Sequence, residues 1–193
     1  MNRFKRLLCL LLAFSIAAGM ACSMASAANS GTQFSDVGQS DWFFQAVQYA
    51  QEQGIMKGSG AGKFSPYGRT TRCMLVMMLY RMEGMPAVSG GCPFEDVASG
   101  AYYRKAVIWA AENQIVSGLD AAHFAPDNAL TREQLATILY RYAKNKGYRT
   151  EKSAELARFS DQNEIGPYAM EAMRWAVAEG LLTGVTARTL QPK

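Results

Sequence analysis

Histidine is nearly absent: His123 is the single one in 193 residues. With no second histidine or cysteine beside it, the sequence offers neither a nucleophilic pair nor a zinc-ligand spacing, and no metal or cofactor is expected. Charge of one sign is also lacking. The formal net charge is +4, but residues 1–27 hold Arg3, Lys5 and Arg6 and no acid, and without them 17 basic residues face 16 acidic ones. A near-neutral body has no basic face for phosphates, which argues against nucleic acid as a partner. Among the 16 acids nothing marks a catalytic Asp/Glu pair, so glycoside hydrolysis has no support and the chain reads as noncatalytic. Long apolar runs are missing from residues 28–193, where a membrane span would need about 20.

The first 27 residues read as a secretory signal: a basic start, an apolar run from Leu7 to Ala18, and a small-residue site ending Ala25-Ser26-Ala27. The run is about a dozen residues, short for a retained membrane anchor. Cys22 after Gly19-Met20-Ala21 leaves lipid attachment as a further alternative, although Gly19 stands where that signal carries an aliphatic residue. Cleavage after Ala27 leaves Cys73 and Cys92 of the four cysteines. Two thiols outside the cytosol suggest a disulfide before a metal site, and the residues after the helix carrying Cys73 are enough to return to it. The alternative is a small buried hydrophobe at Cys73 and an unrelated thiol at Cys92.

Sliding the chain by 60 residues aligns it with itself without a gap. Phe34-Ser35-Asp36-Val37 falls on Phe94-Glu95-Asp96-Val97, Trp42-Phe43 on Tyr102-Tyr103, and Ala46-Val47 on Ala106-Val107. Gly58 falls on Gly118, Phe64-Ser65-Pro66 on Phe124-Ala125-Pro126, Thr71-Arg72 on Thr131-Arg132, and Leu79-Tyr80-Arg81 on Leu139-Tyr140-Arg141. A third copy starts at Phe159-Ser160-Asp161 and, after one extra residue, matches Tyr168 to Trp42, Gly184 to Gly58 and Pro192 to Pro66. It lacks the Thr-Arg segment and second helix. The expected organisation is a signal over 1–27, repeats over 28–90 and 91–146, a polar linker over 147–158, and a truncated repeat over 159–193.

Each copy reads helix, loop, helix. Phe43, Ala46, Val47 and Ala50 lie on one helical face, with Ser40 or Asp41 as cap and Gly54 as stop; Tyr103, Ala106, Val107, Ala110 and Ala169, Ala172, Met173, Ala176 repeat the spacing. The second helix starts at Thr71 or Thr131 and buries Leu75, Met78, Leu79, Met82 or Leu135, Ile138, Leu139, Tyr142. Thr131 with Gln134 predicts a capping box; Thr71 with Met74 does not. Ile55-Met56 and Ile115-Val116 are too short for more than a bridge of strand. One copy presents one apolar face, so copies must pack together to close a core.

Arg72 and Arg132 stand at helix starts, where a cation opposes the helix dipole by a few tenths to about 1 kcal/mol. An anion beside the first-turn N–H groups would compensate, and a carboxylate or phosphate ligand fits; internal pairing with Asp36, Asp96 or Glu133 is the alternative. Trp42, Tyr102 and Tyr168 are placed either to stack on a sugar ring or to plug the core. Asp36, Asp96 and Asp161 either contact ligand or bond backbone N–H groups in a turn.

Phe-x-Asp-Val, Trp/Tyr-Phe/Tyr-x-x-Ala-Val, Gly-Ile-x-x-Gly, Phe-x-Pro and Thr-Arg before a helix ending Leu-Tyr-Arg together resemble the S-layer homology repeat, over Phe34 to Lys193. The resemblance implies an all-α fold of tandem helix-loop-helix repeats packed as a pseudo-threefold bundle. It implies anchoring of exported proteins at the wall or surface of a Gram-positive bacterium, through a secondary wall polymer on peptidoglycan that often bears pyruvate ketals. The family signature Ile-Thr-Arg-Ala-Glu maps onto Thr70-Thr71-Arg72-Cys73-Met74 and Leu130-Thr131-Arg132-Glu133-Gln134. By that mapping Thr71, Arg72, Thr131 and Arg132 are ligand-binding candidates, and Asp36, Asp96, Trp42 and Tyr102 join them. A structural role, with the repeats associating with other surface proteins, is the second expectation.

Overall fold

A computed structural model describes residues 32–193. The expected signal segment, with Cys9 and Cys22, lies outside the described residues. The chain divides into two compact units, Met1–Gly68 and Arg69–Lys193, so the division falls inside the first sequence repeat.

In the N-terminal unit, α1 (Phe44–Glu52) buries Val47 and Ala50 on the face that the spacing predicts. Val47 and Phe43 pack with Phe34, Val37 and Phe64 of the surrounding loop. The cap differs from expectation. Phe43 occupies it with no side-chain hydrogen bond, because the Asp41 carboxylate already accepts from the Gly38 N–H at 2.7 Å in the preceding turn. Gly54 stops the helix at φ +66°, but the second repeat does the same with Gln114 at φ +57°.

The C-terminal unit holds α2 (Arg72–Met82), α3 (Arg104–Glu112), α4 (Arg132–Asn145) and α5 (Met170–Ala178), with 3₁₀ turns at Gln162–Glu164 and Pro167–Ala169. The second helix of one repeat packs on the first helix of the next, α2 on α3 and α4 on α5. Tyr80 meets Trp109 with ring centroids 5.6 Å apart, and Tyr140 meets Trp175 at 5.3 Å. These helices bury far more than one stripe: Leu75, Val76, Met77, Met78, Leu79 and Tyr80 of α2 are all inside. Met82 and Leu135, expected in the core, are half-buried.

Between the helices, each loop is tied by an aspartate. Asp36 accepts from the N–H groups of Phe64 and Ser65 at 2.7 and 2.8 Å, Asp96 from Phe124 and Ala125 at 2.8 and 2.6 Å, and Asp161 from Leu190 and Gln191 at 2.9 and 2.7 Å. Ser65, Ala125 and Gln191 have φ of +60°, +55° and +51°. A non-glycine residue in that region costs roughly 1–2 kcal/mol, which two charge-assisted hydrogen bonds offset. The Phe-x-Asp motif and the Phe-x-Pro turn are therefore two halves of one local structure. Gly118 belongs to the same loop: at φ +75° a Cβ would lie 2.7 Å from the Phe94 ring.

Bridges of strand occur at Gly60–Lys63, Thr71–Ala129 and Thr186–Thr189, not at the Ile pairs. The N–H groups of Ile55 and Met56 both reach Ala50 O, and those of Ile115 and Val116 reach Ala110 O, closing the helix ends instead. The polar stretch after α4 is no free linker throughout. Leu156 is buried, and Ala154 N–H donates to Arg174 O at 3.1 Å. No helix among the described residues is long and apolar enough to cross a membrane.

Candidate functional site

Arg72 opens α2 from an extended Thr71, and the loop of the next repeat is laid against that helix start. Arg72 N–H donates to Asn128 O at 3.0 Å and Cys73 N–H to Pro126 O at 2.9 Å. At α4 the Glu133 N–H donates to Pro192 O at 3.0 Å. These loop carbonyls occupy first-turn donors that the sequence pattern leaves open to an anion. The arginine side chain is the group left to meet one.

The Arg72 guanidinium is folded inward, with the residue 4% exposed. Its Nε donates to Phe124 O at 2.7 Å, and its Cζ lies 4.8 Å from the centre of the Phe124 ring, an arrangement that fixes the planar group. Burial pulls its pKa below the usual arginine value, opposed by the field of Tyr168 and Asp96. The side chain lines a groove of about 400 Å³ together with the Ser117-Gly118-Leu119 turn, Gln134, Arg141 and Tyr168. No carboxylate lines it. Arg141 Nη1 donates to Ser117 Oγ at 3.1 Å, so two guanidinium groups and one aromatic ring share a single opening. Arg141 and the Ser117-Gly118 turn are visible in the sequence only as parts of repeated motifs.

Arg132 repeats the placement one repeat later. Its Nη2 donates to Thr183 O at 2.6 Å, while Nε and Nη1 are buried with no partner. Burial lowers its pKa and the Asp161 charge opposes that. Internal pairing with Glu133 does not occur. Glu133, 2% exposed, instead accepts from Gly166 N–H at 2.8 Å, Tyr168 O–H at 2.7 Å and Lys193 Nζ at 2.5 Å. Burial works against its ionised form; these donors overcome it and hold the carboxyl below its ordinary range.

The aromatic residues at helix starts are not core plugs: Trp42, Tyr102 and Tyr168 are 59%, 66% and 55% exposed. Tyr102 O–H lies 3.8 Å from Cys73 Sγ, and Tyr168 makes the corresponding reach to Glu133. Trp42 stands edge-on to Phe43 at 5.4 Å in the N-terminal unit. Asp36 and Asp96, counted among ligand candidates, have both carboxylate oxygens accepting from backbone N–H groups of their own loops. Thr71 and Thr131 serve the helix starts: Thr131 Oγ1 accepts from Gln134 N–H and completes the expected capping box, whereas Thr71 makes no cap bond. Cys73 and Cys92 are free thiols rather than a bridge; Cys73 is buried, with Sγ 3.2 Å from Thr71 Oγ1. Among the described residues no cluster of His, Cys, Asp and Glu could hold a metal.

An arginine at the start of the second helix, buried at Arg72 and half-buried at Arg132, is set twice beside a Ser/Thr-Gly turn of the following repeat, and this defines a tandem-repeat module. The S-layer homology domain matches the chain three times, over residues 33–72, 93–136 and 158–193, and the chain belongs to that family. Its members anchor proteins at the bacterial cell wall. The chain is 32% identical over its full length to an endoglucanase of Bacillus sp. (strain KSM-635), 21% of which it covers. It is 29% identical over 91% of its length to the surface-layer 125 kDa protein of Lysinibacillus sphaericus, covering 14% of it. Against the cellulosome-anchoring protein of Acetivibrio thermocellus it is 24% identical over 72% of the chain and 32% of that protein. The chain thus spans less than a third of the length of each of these relatives.

Proposed function

We propose that the chain is a noncatalytic anchoring module that holds an anionic secondary wall polymer on peptidoglycan, at the wall or surface of a Gram-positive bacterium. The observation that carries this reading is the Arg72 groove: two guanidinium groups, a tyrosine ring and no carboxylate in one opening. A sugar carrying a carboxylate, such as a pyruvate ketal, presents a planar anion to the guanidinium fork and a ring face to Tyr168. The unpartnered Nε and Nη1 of Arg132 support a second site of the same chemistry. Arg72 and Arg132 act as anion-holding groups, and Arg141 completes the first site. Thr71 and Thr131 shape the helix starts that present them. Tyr102 and Trp42 offer exposed rings outside that groove.

Sedimentation with purified wall sacculi tests this, before and after chemical removal of the secondary polymer. Binding should need the polymer, fall about tenfold or more with Arg72→Ala plus Arg132→Ala, and be only partly restored by lysine at both positions. Unchanged sedimentation of a folded double variant would overturn it. The similarity to a surface-layer protein favours one second reading, lateral assembly with other surface proteins, which would appear as concentration-dependent oligomers without glycan.

A further inference from the structure

Tyr168 lines the Arg72 groove beside Gln134 and Thr137 of α4, yet what holds it there lies outside the groove. Its O–H donates to Glu133 Oε1 at 2.7 Å. A Cβ on Gly166 would lie 2.7 Å from the Tyr168 ring, so the ring lies back over its own turn at a place that a larger residue would close. Glu133 is anchored in its turn. Its Oε2 accepts from Gly166 N–H at 2.8 Å, and its Oε1 also accepts from Lys193 Nζ at 2.5 Å. One buried carboxylate therefore ties the phenol, the turn before it and the ammonium of Lys193 to the start of α4.

The junction one repeat earlier has the same plan without this clamp. Gly100 and Tyr102 match Gly166 and Tyr168, but Cys73 stands where α4 has Glu133. There the phenol is 3.8 Å from the thiol, and a Cβ on Gly100 would meet nothing within 4 Å. The tyrosine that lies back over its glycine is the one whose hydroxyl reaches a carboxylate.

We propose that Glu133 is a positioning residue for the Arg72 groove, holding the Tyr168 ring beside the Arg72 and Arg141 guanidinium groups so that this wall is in place before an acidic sugar arrives. The proposal rests on the reading of that groove as the polymer site. Glu133 touches no ligand itself; a ring already ordered loses less freedom when a sugar packs on it. The tie also sets what the wall can offer. With its proton committed to Glu133, the phenol oxygen can accept from a sugar hydroxyl but has no donor for the carboxylate, which is left to the two guanidinium groups. Their positive charge reaches the same phenol.

Sedimentation with purified wall sacculi that carry the secondary polymer tests this, with Arg72→Ala as the reference. Tyr168→Phe keeps the ring and removes its hydroxyl, and Glu133→Ala cuts the same tie from the other end. Each should weaken binding about fivefold, and the two together no further than the stronger one, because a single interaction is lost in both. Glu133→Gln, which keeps an acceptor oxygen for the phenol, should recover most of the binding lost in Glu133→Ala. Gly166→Ala should weaken binding by crowding the ring, since its φ of −61° and ψ of 144° suit alanine. Tyr168→Phe changes an exposed side chain, so it decides the matter even where Glu133→Ala is too unstable to measure. Loss with Arg72→Ala but none with Tyr168→Phe overturns the positioning role and leaves the polymer reading standing. Losses from Tyr168→Phe and Glu133→Ala that add in full would give the hydroxyl a direct ligand contact and overturn it as well. No loss with Arg72→Ala overturns both.

Discussion

The two repeat junctions of the C-terminal unit share a plan and differ in the residue after the arginine. At the α2/α3 junction Arg72 lies over the Phe124 ring and bonds its carbonyl, and the next residue is Cys73, whose thiol faces Tyr102 O–H. At the α4/α5 junction the loop residue matching Phe124 is Leu190, Arg132 keeps two donors without partners, and Glu133 gathers Gly166, Tyr168 and Lys193 around its carboxylate. One junction is held by an aromatic surface and a thiol, the other by a buried carboxylate that draws in an exposed ammonium and phenol. The same backbone plan thus accepts either chemistry. In both cases the guanidinium is supported by the following repeat rather than by its own.

The contrast predicts its largest difference at Glu133. Glu133→Ala removes the acceptor for a half-buried N–H, a phenol and an ammonium, and should lower unfolding free energy by about 2–3 kcal/mol in denaturant titration. Cys73→Ala, which removes a small side chain with weak hydrogen bonds, should cost about 1 kcal/mol. The Glu133 contribution carries a pH signature. Because its folded pKa lies below the ordinary 4.5, the stabilisation is complete above that value and is lost as pH falls through the folded pKa. Equal losses for the two variants, or a Glu133→Ala penalty unchanged by acid, would refute the distinction.

A subtler difference should appear in the phenols. Although both rings are exposed, local desolvation of the phenol, then Cys73, pushes Tyr102 up to about 12; desolvation, then Glu133, pushes Tyr168 up to about 12. Ultraviolet titration of Glu133→Gln should show Tyr168 moving back toward its ordinary 10.0 while Tyr102 stays, since a neutral amide no longer repels the phenolate. Cys73→Ala should lower Tyr102 alone, and by less, because a thiol is a weaker partner for the phenol than a carboxylate. If one substitution moved both tyrosines, the junctions would not be electrostatically separate.

Much of this arrangement is legible in the sequence, for reasons that particular residues make plain. Helix faces with i, i+3, i+4 spacing and the Thr131/Gln134 box are local, so the string alone discloses them. The repeat discloses the Asp and Phe-x-Pro positions, although only the fold shows that 28 residues apart they close on each other. The hidden features depend on distant partners. Glu133 is buried because Tyr168 and Lys193, 35 and 60 residues on, arrive at it. Leu156 looks like part of a solvated linker because its neighbours in sequence are charged while the fold buries it. The helix-start donors look free because the loop that occupies them belongs to the next repeat.

The smallest expected effect separates the two helix starts themselves. Thr131 Oγ1 accepts from Gln134 N–H at 3.3 Å, and the Gln134 side chain accepts from Thr131 N–H at 3.4 Å. Thr71 has no such bond; its hydroxyl contacts Cys73 Sγ at 3.2 Å, and its backbone is held by the bridge to Ala129. Thr131→Ala should therefore cost about 1 kcal/mol, and Thr71→Ala only a few tenths. Pairing each with a change three residues on sharpens the test: Thr131→Ala and Gln134→Ala should be non-additive by about 0.5 kcal/mol or more, whereas Thr71→Ala and Met74→Ala should add. Equal costs at Thr71 and Thr131, with additivity in both pairs, would mean that the reciprocal cap is too long to stabilise α4 and that the loop carbonyls alone secure both helix starts.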